Sequence, residues 1–248
     1  MHITNFLRDL EIILREKISD HYPVDWDEDT ITRNTLKELR ISFKAISISG
    51  LKSRMRIQWS AFKLTGKSET KFGDVALLVN ITYQNGDRIE GVAFLEAKKR
   101  KINTTKFGAI KIRQLSKIFR NTPFSMVLLY DYEDVTEFAN IYSKPFIFDN
   151  WFKCKPCTRS VVVPTNIVLE TQQKDTRLYK YSLPFSHQLF FRHLHGFDLD
   201  FRNKITNIAK GYNPSKGIPT YLIVACVAFG KTEPSQSIDF RRDYFTPI

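Results

Sequence analysis

Apolar residues recur at helical spacing over the first twenty positions. Phe6, Leu10, Ile13 and Leu14 fall on one face and predict a helix over 3–20. Pro23 and the acidic cluster Asp25, Asp27, Glu28 and Asp29 break it. Thr30 or Thr32 can N-cap a second helix reaching about residue 46, with Leu36, Leu39, Phe43 and Ile46 as its stripe. The period then shortens. Ile57, Trp59 and Ala61 against Gln58, Ser60 and Lys63 predict a strand over 55–64, ended by Thr65-Gly66. Two β-rich runs, 72–83 and 88–98, flank Gln84-Asn85-Gly86-Asp87, which is hairpin chemistry. A polar loop leads into a helix over 106–120, with Ile112, Leu115 and Phe119 facing inward, and 124–130 reads as a buried strand. Beyond it, 161–169 and 221–229 predict strands and 184–201 a helix. There is no internal repeat and no linker rich in Gly, Ser or Pro. An α/β domain is therefore expected, with an N-terminal helix over 1–29, a core over 30–135 and an extension over 136–248 packed on that core.

The hairpin carries the chemistry. Glu96 and Lys98 share one face of its second strand, and Ala97 points to the other. Whether Asp74 joins them depends on the turn. A two-residue turn at Asn85-Gly86 places Asp74 opposite Ala97, on the wrong face. A three-residue loop with Gly86 left-handed pairs Tyr83 with Asp87 and Asp74 with Glu96. The three-residue register is the one expected. Two carboxylates at cross-strand distance repel, and a divalent cation relieves that repulsion. Mg²⁺ (or Mn²⁺) suits a pair of carboxylates completed by water and phosphate oxygens. Lys98 would then orient water or stabilise charge on the phosphate.

Charge points to the same partner. Lys and Arg total 38 against 26 acids, a formal net charge of +12, which favours a polyanion such as nucleic acid. No acid occurs between Ala97 and Tyr130, a stretch that holds Lys98, Lys99, Arg100, Lys101, Lys106, Lys111, Arg113, Lys117 and Arg120. Lys106, Arg113, Lys117 and Arg120 are spaced for one helix face, a ridge suited to backbone phosphates beside Lys99. The longest apolar run, 221–229, is too short to span a bilayer, and the charged first twenty residues lack a signal-peptide core. Three cysteines fit a reducing cytoplasm, where no membrane partner is expected.

Asp74, the intervening hairpin and Glu96-Ala97-Lys98 before a helix together resemble the PD-(D/E)xK nuclease superfamily. The resemblance covers residues 30–130. It implies a restriction-endonuclease-like αβββαβ core with a mixed central sheet flanked by helices, here with a C-terminal α/β elaboration. It also implies a Mg-dependent endonuclease, with Asp74, Glu96 and the Ala97 carbonyl on the metal and Lys98 catalytic. Gly73 stands where the family's name has proline. Many members carry a further upstream acid, for which Glu69 is preferred over Glu38 and Glu28, and some place a polar residue on the following helix, here Gln114. The expected substrate is double-stranded DNA rather than RNA, in a restriction or anti-phage defence setting. The C-terminal half could serve a homodimer or a partner protein. The competing reading is a non-catalytic nucleic-acid-binding protein or a subunit of a larger assembly.

Cys154 and Cys157 have zinc-ligand spacing, with His193 and His195 downstream. A single knuckle followed by histidines two apart in a helix argues against that site, and His187 reads as a packing residue.

Overall fold

The computed structural model describes residues 1–50, 54–65, 71–139, 157–213, 217–235 and 238–248. Two helices lead the chain, α1 (Ile3–Ser19) and α2 (Glu28–Ser42), followed by strands β1 (Ala45–Ile48), β2 (Met55–Leu64), β3 (Val75–Thr82) and β4 (Arg88–Lys99). Helix α3 (Ile112–Asn121) crosses to β5 (Met126–Val135). The remainder comprises β6 (Thr158–Pro164), α4 (Thr165–Thr171), β7 (Leu183–Pro184), α5 (Phe185–His187), α6 (Asn203–Ala209), β8 (Tyr221–Phe229) and β9 (Phe245–Pro247).

Among the described residues these strands form one mixed sheet in the order β1-β2-β8-β3-β4-β5-β6-β7, with β9 added to β2. Strand β8 runs antiparallel to β2 and parallel to β3, and β5 runs parallel to β4. The all-apolar run of β8 is what a strand buried on both faces requires. It also shows that the C-terminal segment is woven into the sheet that carries the hairpin.

Each strand sends alternate side chains to opposite faces. Leu77, Val79, Leu95 and Ala97 pack with Phe6, Leu10 and Leu14 of α1 and Ile31, Leu36 and Leu39 of α2. On the other face, Leu78 and Phe94 meet Ile205 and Ile208 of α6, while Val127 and Leu129 receive Leu115 and Ile118 of α3. Helices α2 and α3 thus cover opposite faces, and both begin at the end of the sheet where β4 finishes.

Several boundaries depart from the sequence reading. Asp27, not Thr30 or Thr32, caps α2, accepting the Thr30 N–H at 3.1 Å, and the helix stops at Ser42 so that Ile46 lies in β1. Helix α3 begins only at Ile112, because Lys106 and Phe107 form backbone bridges to Asp175 and Arg100. Its buried side chains are Leu115 and Ile118 rather than Phe119. The strand expected over 161–169 is β6 running directly into α4, since the apolar run after Pro164 coils. The helix expected over 184–201 is a short α5 extended by π and 3₁₀ turns that stop at Gly196, whose φ of +88° ends the coil. Among the described residues no helix is long and apolar enough to cross a membrane.

Candidate active site

The hairpin turn decides the site. Gly86 has φ +88°, its N–H donates to the Tyr83 carbonyl at 2.9 Å, and Tyr83 N–H donates to Asp87 at 2.9 Å. This is the three-residue loop, and the β3–β4 register pairs Thr82 with Arg88 and Val75 with Leu95. Continued by one residue, it sets Asp74 across from Glu96. Gly73 makes that end of the hairpin possible. Its φ is +101°, and a Cβ there would lie 2.8 Å from the Leu95 carbonyl oxygen. Proline, locked near −65°, cannot occupy this position.

Around the end of β4 the side chains converge. Lys98 Nζ lies 2.8 Å from Glu96 Oε1, 3.2 Å from Glu28 Oε1 and 3.8 Å from Asp74 Oδ2. It also donates to the Ala97 carbonyl. Asp74 Oδ2 accepts the Ala97 N–H at 2.9 Å, and Tyr221 N–H on β8 donates to the Asp74 carbonyl at 2.9 Å. From α3, Gln114 Nε2 donates to Glu96 Oε1 at 2.8 Å. Glu96 is 1% exposed and Lys98 8%. Three carboxylates therefore share one ammonium, with Glu96 and Lys98 buried and Asp74 and Glu28 half-buried at the opening.

The electrostatics follow from that crowding. Burial, then the Asp74 carboxylate, pushes the Glu96 carboxyl up to about 7 against the opposing pull of Lys98. Burial likewise raises Asp74 and Glu28 above the ordinary carboxylate range. For Lys98, burial acts downward, but Glu96, Glu28 and Asp74 together outweigh it and hold the amine above its usual value. Lys98 is therefore an ammonium at neutral pH, suited to stabilising negative charge rather than abstracting a proton.

Among the described residues no group of three or more His, Cys, Asp or Glu side chains is arranged to hold a metal by itself. The donor set here is smaller: Asp74, Glu96 and the Ala97 carbonyl. One feature fits a divalent ion. Glu96 Oε2 is buried and without a hydrogen-bond partner, an oxygen whose ionised form costs free energy unless a proton or a cation reaches it. The Ala97 carbonyl, which accepts from the Lys98 ammonium, has a second lone pair for an ion.

Among the described residues the candidate upstream acid that reaches Lys98 is Glu28, the first residue of α2, and the preferred Glu69 lies outside the described residues. Glu38 sits further along α2 and accepts from Ser42 Oγ at 2.9 Å. Glu28 was legible as a first-turn acid once Asp27 is read as the cap. Arg113, Lys117 and Arg120 project from α3, exposed and without an ion-pair partner among the described residues, and Lys99 is half-buried at the end of β4. Lys106 does not belong to that ridge, since it precedes α3 by a loop. Arg100 is committed elsewhere, to Asp131 at 3.1 Å and Glu133 at 2.6 Å. His193 and His195 serve packing: each is hydrogen-bonded to a backbone carbonyl, of Phe197 and Phe190 respectively. Burial lowers both, and Cys154 lies outside the described residues.

Comparison with protein-family models, curated proteins and solved structures returns no match. The functional reading rests on the geometry of the chain itself.

Proposed function

We propose that this chain is a divalent-metal-dependent nuclease that hydrolyses phosphodiester bonds, acting on double-stranded DNA, with a restriction-endonuclease-like core. The convergence of Asp74, Glu96 and Lys98 from adjoining strands carries the reading. The antiparallel β3–β4 pair, the α3 crossover and the parallel β5 support the fold part of it.

Asp74 and Glu96 would hold Mg²⁺ or Mn²⁺, with Ala97 contributing its carbonyl. Such an ion, when bound, acidifies a coordinated water and polarises the scissile phosphate. Lys98 presents a permanent positive charge where the pentavalent phosphorus would gather negative charge. Gln114 fixes the Glu96 rotamer through Oε1 and leaves Oε2 for the cation. Glu28 holds the ammonium on the α2 side, nearer to itself at 3.2 Å than to Asp74 at 3.8 Å. Arg113, Lys117 and Arg120 would neutralise backbone phosphates beside the cut.

The competing reading is a non-catalytic nucleic-acid binder. One observation favours it: Lys98 is already satisfied by two carboxylates and a carbonyl, as in a structural ion pair. Incubating supercoiled plasmid and a single-stranded RNA with the protein separates the two. The nuclease reading expects cleavage with Mg²⁺, none with chelator, and none with Lys98→Ala. Intact plasmid and RNA in every lane, with both still retarded on a gel, would establish the binder instead.

A further inference from the structure

A second row of cations leaves the same site on the other face of the sheet. Arg33, Lys37 and Arg40 are spaced four and three apart along α2, so they lie within a narrow arc of the helix, and Lys44 follows just past its end. At 1.5 Å per residue the helical part of the row is about 10 Å long. Arg33, Lys37 and Lys44 are exposed and Arg40 is half-buried. None of the four has an acid within ion-pair distance among the described residues. Two acids on the same helix offset this field only in part, Asp29 through its attraction to Arg33 and Glu38 as a single carboxylate between Lys37 and Arg40. Asp29 pairs with Lys63 at 2.8 Å and accepts from the Tyr221 hydroxyl at 2.6 Å, and Glu38 is turned to Ser42.

The direction of the row gives it meaning. Helix α2 starts with Glu28 against Lys98, and the Lys44 carbonyl accepts the Trp59 N–H at 3.0 Å, in the middle of β2. The helix thus runs from the end of β4 across the sheet toward the β1–β2 edge, and its cations mark a path away from the reacting groups. Arg113, Lys117 and Arg120 mark the corresponding path along α3. Two unpaired basic rows diverging from one anionic centre match a polymer whose charge repeats along its length on both sides of the cut. An isolated phosphate group would need only the centre.

We infer that Arg33, Lys37, Arg40 and Lys44 form a second phosphate-binding track, which holds the nucleic-acid backbone on the α2 side of the scissile bond. This rests on the nucleic-acid reading above and extends the footprint to a helix outside the basic stretch between Ala97 and Tyr130.

Salt dependence counts the phosphates. Binding of a 20-base-pair duplex, followed by fluorescence anisotropy in chelator so that nothing is cut, gives log K against log[salt] with a slope near −0.9 for each phosphate neutralised. Replacing all four residues by Gln should make that slope shallower by about 3.6 if every one contacts a phosphate, and weaken binding roughly 10³-fold at 0.1 M salt. The exposed single changes Lys37→Gln and Lys44→Gln should each remove about 0.9, which covers failure of the fourfold variant to fold. A fourfold variant with wild-type circular dichroism and a slope change below about 2 overturns the track. Singles that leave the slope unchanged overturn it too. So does a fourfold variant that keeps its duplex affinity but releases phosphatidylserine vesicles, since the row would then face a membrane. If the variants bind as wild type while plasmid is still cut, only the track falls. If the wild type neither binds nor cuts, the nucleic-acid reading falls with it.

Discussion

Replacing Glu96 by Gln should stabilise the metal-free protein at pH 8 and leave it unchanged at pH 4. The folded structure moves this carboxyl from its ordinary 4.5 to about 7, through burial and then the neighbouring Asp74. Between those two values the folded chain holds a proton that the unfolded chain has released, so folding becomes less favourable as pH rises. At 1.36 kcal/mol per pH unit, the full cost above pH 7 is about 3 kcal/mol. Gln reproduces the protonated carboxyl. Its Oε1 can still accept from Lys98 and Gln114, and its amide can donate to the Asp74 carboxylate, as the protonated Glu96 carboxyl would. Urea unfolding of wild type and Glu96→Gln from pH 4 to pH 8 should therefore show the variant gaining on the wild type, with the gap opening between about pH 4.5 and 7. Magnesium at a hundred times its Kd should restore about 2.7 kcal/mol to the wild type alone. A gap that does not vary with pH, or a wild type more stable than the variant at pH 8 without metal, would refute the claim that Glu96 is held charged at a cost.

Three further outcomes follow from the same geometry. Asp74→Asn should abolish metal-dependent cutting while duplex affinity in chelator holds or rises, because one negative charge beside the phosphate is gone; a parallel loss of binding by gel shift would contradict its role. Gly73→Ala should cost about 1–3 kcal/mol in denaturant unfolding, since φ +101° and the Leu95 carbonyl leave no room for a Cβ; wild-type stability and cleavage would contradict the close approach. Gln114→Ala should lower kcat with little change in KM for duplex and cost about 1 kcal/mol of stability, as it removes one hydrogen bond to a buried carboxylate; an effect on KM alone would place Gln114 on the substrate instead.

What the sequence revealed was mostly local. The Asn85-Gly86 turn determines the register within four residues, and strand alternation then places Glu96 and Lys98 together, so the heart of the site could be read before the fold. Gln114 followed only from the resemblance, which implies a polar residue on the helix after the lysine; its place in the first turn emerges once α3 is seen to begin at Ile112. Glu28 was obscured by its neighbours: Asp25, Asp27 and Asp29 look like a helix-breaking cluster, and only the cap geometry of Asp27 reveals Glu28 as the first helical residue. The place of β8 between β2 and β3 has no local signal, since nothing in Tyr221–Phe229 names its partners 140 or more residues earlier. The run after Pro164 shows the remaining ambiguity. Thr165–Thr171 is apolar enough for a buried strand, and its packing through Val168 makes it a helix. The α2 row was missed because its cations are interleaved with the buried stripe of the same helix, and only the fold shows that the helix starts at the site.

Electron paramagnetic resonance of Mn²⁺ titrated into the protein at pH 8 tests most directly whether these strands bring two carboxylates to one ion. The account predicts saturable binding by the wild type that is lost in both Asp74→Asn and Glu96→Gln. Free Mn²⁺ signal throughout the titration, or binding that survives both changes, would contradict it.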